Sequence, residues 1–312
     1  MENKLYDLII IGGGPAGSAG AVYASRKKLK TLLITYTFGG QSTDSSDIQN
    51  WIGTPSISGA DLAKSLETHV RTYADDVLDI LSGENVTGVS EVDGSFQVAT
   101  DANKKYTAKT VLVTSGSGRR KLEVPGAKEL EHKGITYCAS CDGLLFQGMD
   151  VAVIGGGNAG FETAAQLLAY TKSVTLFNRG ESFRADEITV EKVLANPKMT
   201  ALKNVDLISI EGDKFVSGIK YKDMATNEEK TISVQGIFVE IGQIPNTDIV
   251  KGFLNLDQYG KVITDPMIQR TSVKGVWAAG DCTDGLYHQN NIATGDAVKA
   301  LEDIYLYLHA GK

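Results

Sequence analysis

Near its start the chain carries a mostly apolar run, Leu5 to Ile11, interrupted only by Asp7, which leads directly into Gly12-Gly13-Gly14-Pro15-Ala16-Gly17 and an alanine-rich stretch ending near Arg26. An apolar run of this length ended by glycines predicts a strand, and the alanine-rich stretch predicts a helix. A strand from Thr31 to Thr35 is expected next. The same order then returns: a strand from Val151 to Ile154, the turn Gly155-Gly156-Gly157-Asn158-Ala159-Gly160, a helix to about Tyr170, and a strand from Val174 to Phe177.

Each copy is G-x-G-x-x-G set between a strand and a helix, the context a dinucleotide fold requires. Glycines let the backbone turn sharply and let a pyrophosphate approach, while the helix N-terminus offers free N–H groups and positive dipole. Pro15 suits the first helical position, where its missing N–H would have been unpaired anyway. A single glycine motif also fits an ordinary turn, but two copies in full strand-turn-helix-strand settings point to two dinucleotides, FAD and NAD(P)H.

Glycine- or proline-rich joints flank the second copy, at Thr114-Ser115-Gly116-Ser117-Gly118 and Ile241-Gly242-Gln243-Ile244-Pro245-Asn246. They predict an α/β chain of two Rossmann-like dinucleotide-binding domains. The NAD(P)H domain, residues 117–246, is inserted into a discontinuous FAD domain of residues 1–116 and 247–312. A length of 312 residues fits about two domains.

The net charge of -7 opposes nucleic acid and anionic membrane as partners. The basic run Arg26, Lys27, Lys28 and Lys30 falls where the first helix ends and complements its dipole. No apolar run approaches the roughly 18 residues of a membrane span, and Leu8 to Ile11 is short for a signal-peptide core, so a cytoplasmic location is expected. Three cysteines cannot build a secreted framework, and two are spaced C-x-x-C, which suggests redox chemistry or metal.

These residues closely resemble the low-molecular-weight thioredoxin reductase family from Leu5 to about Tyr305. The marks are both glycine motifs, Gly39-Gly40-Gln41, Asn50-Trp51, Val124-Pro125-Gly126, Cys138-Ala139-Ser140-Cys141-Asp142, Pro245-Asn246-Thr247 and Ala279-Gly280-Asp281. Asp142-Gly143-Leu144-Leu145-Phe146 and Ile292-Ala293-Thr294-Gly295 are still more similar to the flavoprotein component of alkyl hydroperoxide reductase, whose N-terminal thioredoxin-like region this chain is expected to lack.

The resemblance implies that Gly12, Gly14, Pro15, Ala16 and Gly17 cradle the FAD pyrophosphate. It places Gly40, Gln41 and Asn50 on the flavin side, Gly280 and Asp281 at the ribityl chain, and Gln289 and Asn290 against the isoalloxazine ring. A turn residue is the alternative for Asp281. It also implies a homodimer, with a thioredoxin-like, glutaredoxin-like or peroxiredoxin-system protein as partner.

A dithiol two residues apart can close into an easily reduced disulfide. The alternative, half a zinc site, lacks ligands: the other Cys and His residues are Cys282, His69, His132, His288 and His309, scattered singly, so no metal is expected. By the resemblance Cys141 takes electrons from the flavin, Cys138 attacks the partner and Asp142 manages a proton, although a helix cap would also suit Asp142. Cys282 reads as a small buried residue.

The second glycine motif, through Gly155, Gly157, Asn158, Ala159 and Gly160, takes the nicotinamide nucleotide. Its next strand ends in Phe177-Asn178-Arg179-Gly180-Glu181, with Arg184 beyond. NAD sites favour an acid here and NADP sites an arginine. No acid occupies position 178, and Arg179 and Arg184 match the family's arginines, so NADPH is expected over NADH. Gly160 and Glu181 argue the other way, and NADH stays open.

Overall fold

The structure, a computed structural model, describes residues 4–45 and 47–310. The chain forms two compact units, one of Met1–Gly118 with Ile244–Lys312, the other of Arg119–Gln243.

In the first unit β1 (Leu5–Gly13) lies parallel to β2 (Thr31–Phe38) and β6 (Lys105–Val113). With β3 (Leu78–Ser82), β4 (Val86–Val92), β5 (Ser95–Thr100) and β17 (Val276–Ala278), they make a seven-stranded sheet of order β3-β2-β1-β6-β5-β4, with β17 on β6. The apolar run of β1 serves two cores because successive strand residues face opposite ways. Leu8 and Ile10 pack with Ala21 and Ala24 of α1 (Pro15–Arg26) and Leu301 of α6 (Asn290–Ala310). Ile9 and Ile11 pack with Val98, Val250 and Leu254 on the other face. α2 (Gly59–Thr72) begins at Ser58, whose side chain accepts from the Asp61 N–H.

The two chain crossings form a two-stranded ribbon of β7 (Ser117–Arg119) and β16 (Gln243–Pro245).

The second unit repeats the plan. β8 (Ile135–Thr136), β9 (Asp150–Ile154), β10 (Ser173–Asn178), β11 (Met199–Lys203) and β15 (Gly236–Val239) form a parallel sheet of order β11-β10-β9-β15-β8. β12 (Val205–Gly212), β13 (Val216–Asp223) and β14 (Glu229–Ser233) form an antiparallel layer. Val151 and Val153 of β9 meet Phe161, Ala164 and Leu167 of α4 (Asn158–Leu167), while Ala152 and Ile154 meet Ile219 and Tyr221 of β13. α3 (Ala139–Asp142) and α5 (Glu187–Leu194) complete this unit.

Two element ends differ from expectation. β2 runs on to Phe38, whose N-terminal neighbours Thr35 and Thr37 are tied by a 2.6 Å side-chain bond. α4 stops at Leu167 instead of near Tyr170. There Ala169 and Tyr170 donate to the carbonyls three residues back, and the Thr171 hydroxyl returns to Leu167 O, closing the last turn tightly. Among the described residues no helix is long and apolar enough to cross a membrane.

Candidate active site

In the first unit the glycine motif forms one wall of a cavity of about 610 Å³, within the range of small-molecule sites. Gly12 has φ 105°, and a Cβ there would strike the Thr114 carbonyl. A Cβ on Gly17 would fall on the Gly12 carbonyl, so this glycine lets α1 seat directly against the end of β1. Gly14 is open, its nearest neighbour being Gly40 at 3.9 Å, and it precedes Pro15 at the head of α1, whose first turn carries no acid. A backbone cradle at a free helix N-terminus suits a pyrophosphate.

Gly12, Gly14, Pro15, Ala16, Gly40, Gln41, Gly280, Asp281 and Asn290 all line this cavity. Gln41 donates its side-chain amide to the Ser117 carbonyl, and Ser42 Oγ donates to Asn290 Oδ1 at 3.0 Å. Asn50 and Gln289 are not in the lining: Asn50 Nδ2 donates to Gln289 Oε1 at 3.0 Å, and Asn291 Nδ2 donates to the Asn50 carbonyl at 2.7 Å. They brace the segment that presents Asn290.

Sequence reasoning missed Glu84, Asn85 and Asn246, which also line the cavity. Lys104 at 2.5 Å and the Thr100 hydroxyl at 2.7 Å hold the Glu84 carboxyl below its ordinary range. For Glu84 and Asn85 the signal was only the Gly83-Glu84-Asn85 turn, which has no motif, whereas Asn246 lies in the Pro245-Asn246-Thr247 stretch without having been given a role. Cys282 is fully buried, and burial pushes its thiol up.

In the second unit Cys138 and Cys141 are joined as a disulfide with Cα atoms 5.3 Å apart. Cys138 is the N-cap of α3, and its Sγ accepts the Cys141 N–H at 3.2 Å. Asp142 closes α3 and stands at the N-cap position of the 3-10 turn Gly143–Phe146, without a side-chain cap bond there. Its carboxylate accepts from the Thr136 hydroxyl on β8, and its own N–H returns to Cys138 O at 3.0 Å. Ser140 Oγ donates to Gln166 Oε1 of α4 at 3.1 Å, fixing α3 from the side.

The second glycine motif reproduces the first. Gly155 has φ 131° and faces the Glu240 carbonyl, and a Cβ on Gly160 would fall on the Gly155 carbonyl as Gly17 would on Gly12. Gly157 is open and caps α4, whose first turn has no acid. Asn158 Oδ1 accepts the Asp186 N–H at 2.8 Å, and Arg184 N–H donates to Gly156 O at 2.8 Å. Asn178 is buried, its amide donating to Gly180 O at 2.7 Å and Ser182 O at 3.0 Å. Arg179 and Arg184 are exposed.

Two glycine-cradled dinucleotide folds and a short-helix disulfide define a nucleotide-dependent disulfide oxidoreductase. The chain belongs to the pyridine nucleotide-disulphide oxidoreductase family, whose model matches residues 6–297. Members related to this chain use FAD and NAD(P)H. It is 39% identical over 307 residues to an NADH dehydrogenase of Bacillus subtilis strain 168, covering 98% of this chain and 59% of that protein. It is equally 39% identical over 314 residues to the alkyl hydroperoxide reductase F protein of Escherichia coli K12, again 98% of this chain and 59% of the relative. Among solved structures, thioredoxin reductase from Streptococcus pyogenes MGAS5005 superposes with a TM-score of 0.90 at 32% identity, covering 99% of this chain and 100% of that one. The Giardia duodenalis thioredoxin reductase gives 0.91 at 30% identity, covering 98% and 99%. The chain thus spans about 59% of the length of the curated relatives it matches and the full length of the structural ones.

Proposed function

We propose that the protein passes electrons from NADPH, with NADH as the lesser donor, to the disulfide of a small redox protein. The observation that carries this reading is the Cys138–Cys141 disulfide at the head of α3, in the unit that holds its own glycine-cradled nucleotide site. On this reading residues 1–116 and 247–312 bind FAD and residues 117–246 bind the nucleotide.

Gly12, Gly14, Pro15, Ala16 and Gly17 hold the pyrophosphate of FAD, Gly40, Gln41 and Asn290 face its flavin side with Asn50 and Gln289 behind them, and Gly280 and Asp281 hold the ribityl chain. FAD supplies the relay that accepts a hydride and delivers two electrons. Gly155, Gly157, Asn158, Ala159 and Gly160 hold the nucleotide pyrophosphate. Arg179 and Arg184 serve the 2′-phosphate, and Asn178 shapes their loop. The electron pair enters at Cys141, breaking the Cys138–Cys141 bond, while Asp142 handles the proton. The Cys138 thiolate then attacks the partner's disulfide, forming a mixed disulfide and releasing one partner thiolate. Cys141 attacks Cys138 in turn, which frees the reduced partner and closes the pair again.

Leu144 and Leu145, 58% and 52% exposed, stand beside the pair and suit the apolar rim of a thioredoxin-like or glutaredoxin-like protein. Similarity to the alkyl hydroperoxide reductase F protein favours a peroxiredoxin-system partner as the second reading. A homodimer is supported by Leu286, Tyr287 and Ile292, exposed around a cavity of about 370 Å³ in the first unit. A cytoplasmic location fits a disulfide that works by being reduced.

The test follows NADPH oxidation with an oxidised thioredoxin-like protein and, separately, an oxidised peroxiredoxin as acceptor. Turnover with either supports the reading. Turnover with neither, in protein whose flavin is bleached by NADPH, removes the partner assignment.

A further inference from the structure

Glu240 stands at the expected nucleotide crevice, and the redox scheme above makes no use of it. Ligands of doubly wound sheets bind outside the carboxyl ends of the strands at the switch point. In the second sheet that point lies between β9 and β15. Glu240 is the first residue past β15, its N–H donates to Ile154 O at the end of β9 at 2.8 Å, and its carbonyl faces Gly155.

The Glu240 side chain is only 9% exposed. Oε1 accepts from Thr163 Oγ1 of α4 at 2.8 Å. Oε2 has only Arg119 Nη1, at 3.8 Å, among the described residues, too far for a hydrogen bond. The charges bearing on this carboxyl are Arg119 and, from α4, Glu162, while β9 brings only the neutral Ile154 and Gly155. Arg119, 25% exposed, is thus held to this nearly buried acid by charge without a hydrogen bond.

We propose that Glu240 competes with the nucleotide for Arg119. With the carboxyl neutral, Arg119 serves the pyrophosphate and the nucleotide is held tightly. With it ionised, Arg119 is retained, the carboxylate repels the pyrophosphate, and the nucleotide is held loosely. The inference rests on the nucleotide reading of this unit and adds a positioning residue to it. Burial pushes the carboxyl above the ordinary glutamate range, with Thr163 and Arg119 pulling less strongly the other way. Affinity is thus highest at low pH, falls as pH rises through the carboxyl's own pKa, and binding takes up part of a proton.

Calorimetric titration of the FAD-loaded protein with NAD⁺, in buffers of differing ionisation enthalpy from the ordinary glutamate range, about pH 4.5, to about pH 8, reads this uptake directly. NAD⁺ is the cleaner probe because the 2′-phosphate of NADP⁺ itself titrates near pH 6. The wild type should take up a fraction of a proton, with Kd weakening roughly tenfold across the range. Glu240→Gln, which retains an acceptor for Thr163, should bind without uptake and with a pH-independent Kd. Arg119→Ala should bind more weakly and lose most of the pH slope. Binding without uptake in the wild type, or equal uptake in Glu240→Gln, overturns the inference and leaves the nucleotide site standing. If neither NAD⁺ nor NADP⁺ binds, the nucleotide reading falls and the inference with it.

Discussion

Cys138 Sγ accepts the backbone N–H of Cys141 at 3.2 Å, so the first sulfur of the pair caps the helix that carries the second. Once the pair is reduced, that N–H favours the thiolate at Cys138 over Cys141. On the proposed reading Cys138 is then the attacking sulfur. Cys141→Ser should accumulate a mixed disulfide between Cys138 and its partner, visible by mass spectrometry without reductant, because the resolving thiol is gone. Cys138→Ser should trap none. A trapped partner in Cys138→Ser alone would exchange the two roles.

On the proposed reading the exposed Arg179 and Arg184 would meet a 2′-phosphate, while Asn178 is committed to the carbonyls of Gly180 and Ser182. Arginine's fork suits a phosphate. Steady-state kinetics should give a higher kcat/KM for NADPH than for NADH. Arg184→Ala should raise the KM for NADPH by roughly tenfold, about one charge-assisted hydrogen bond, and leave NADH nearly unchanged. Equal losses for both nucleotides would show that Arg184 only shapes the loop through its N–H to Gly156.

Glu240 gives stability a pH dependence of known sign. Its folded carboxyl lies above the ordinary value because of burial, so the folded state binds the proton more tightly than the unfolded chain. The contribution is complete below the unfolded pKa and is lost as pH rises through the folded one. Glu240→Gln cannot ionise and should unfold at a higher urea concentration than wild type at about pH 8, with the gap closing toward about pH 4. A variant that is less stable at the higher pH would mean that the ionised carboxyl is a net stabiliser through Arg119.

Asp303 anchors α6 to the first sheet. Its carboxylate accepts from Arg270 Nε at 2.6 Å, Arg270 Nη2 at 3.0 Å and the indole N–H of buried Trp277 at 2.9 Å. Asp303→Ala strands the buried indole donor and removes two bonds to Arg270, and should cost about 2 kcal/mol by denaturant unfolding. A loss under about 1 kcal/mol would show that water replaces the carboxylate there.

The parts of this molecule most legible in its sequence are those where one local pattern serves one physical demand. The Leu8 to Ile11 run is apolar throughout because Leu8 and Ile10 face one core while Ile9 and Ile11 face another, and its glycines follow because Gly17 and Gly12 touch through backbone alone. The repeat at Gly155 and Gly160 is legible for the same reason. Less legible were positions fixed by long-range contact. Glu84 reaches the cavity from a turn held by Lys104, twenty residues on, and Glu240 closes an apolar strand with no local sign that its carboxyl turns inward to Thr163. Asp142 read equally well as a helix cap or an acid. The tie to Thr136, with Cys138 in the cap position, resolves where it sits but leaves its proton work to experiment.

The central claim is that nucleotide electrons leave this protein through Cys138 and Cys141. Anaerobic titration of the FAD-loaded protein with NADPH, followed by flavin absorbance and free-thiol count, tests it most directly. Wild type should consume about two equivalents, one for the flavin and one for the disulfide, while Cys138→Ser should consume about one with its flavin still fully bleached. Consumption of about one equivalent by both, with no thiols appearing in the wild type, would contradict the account.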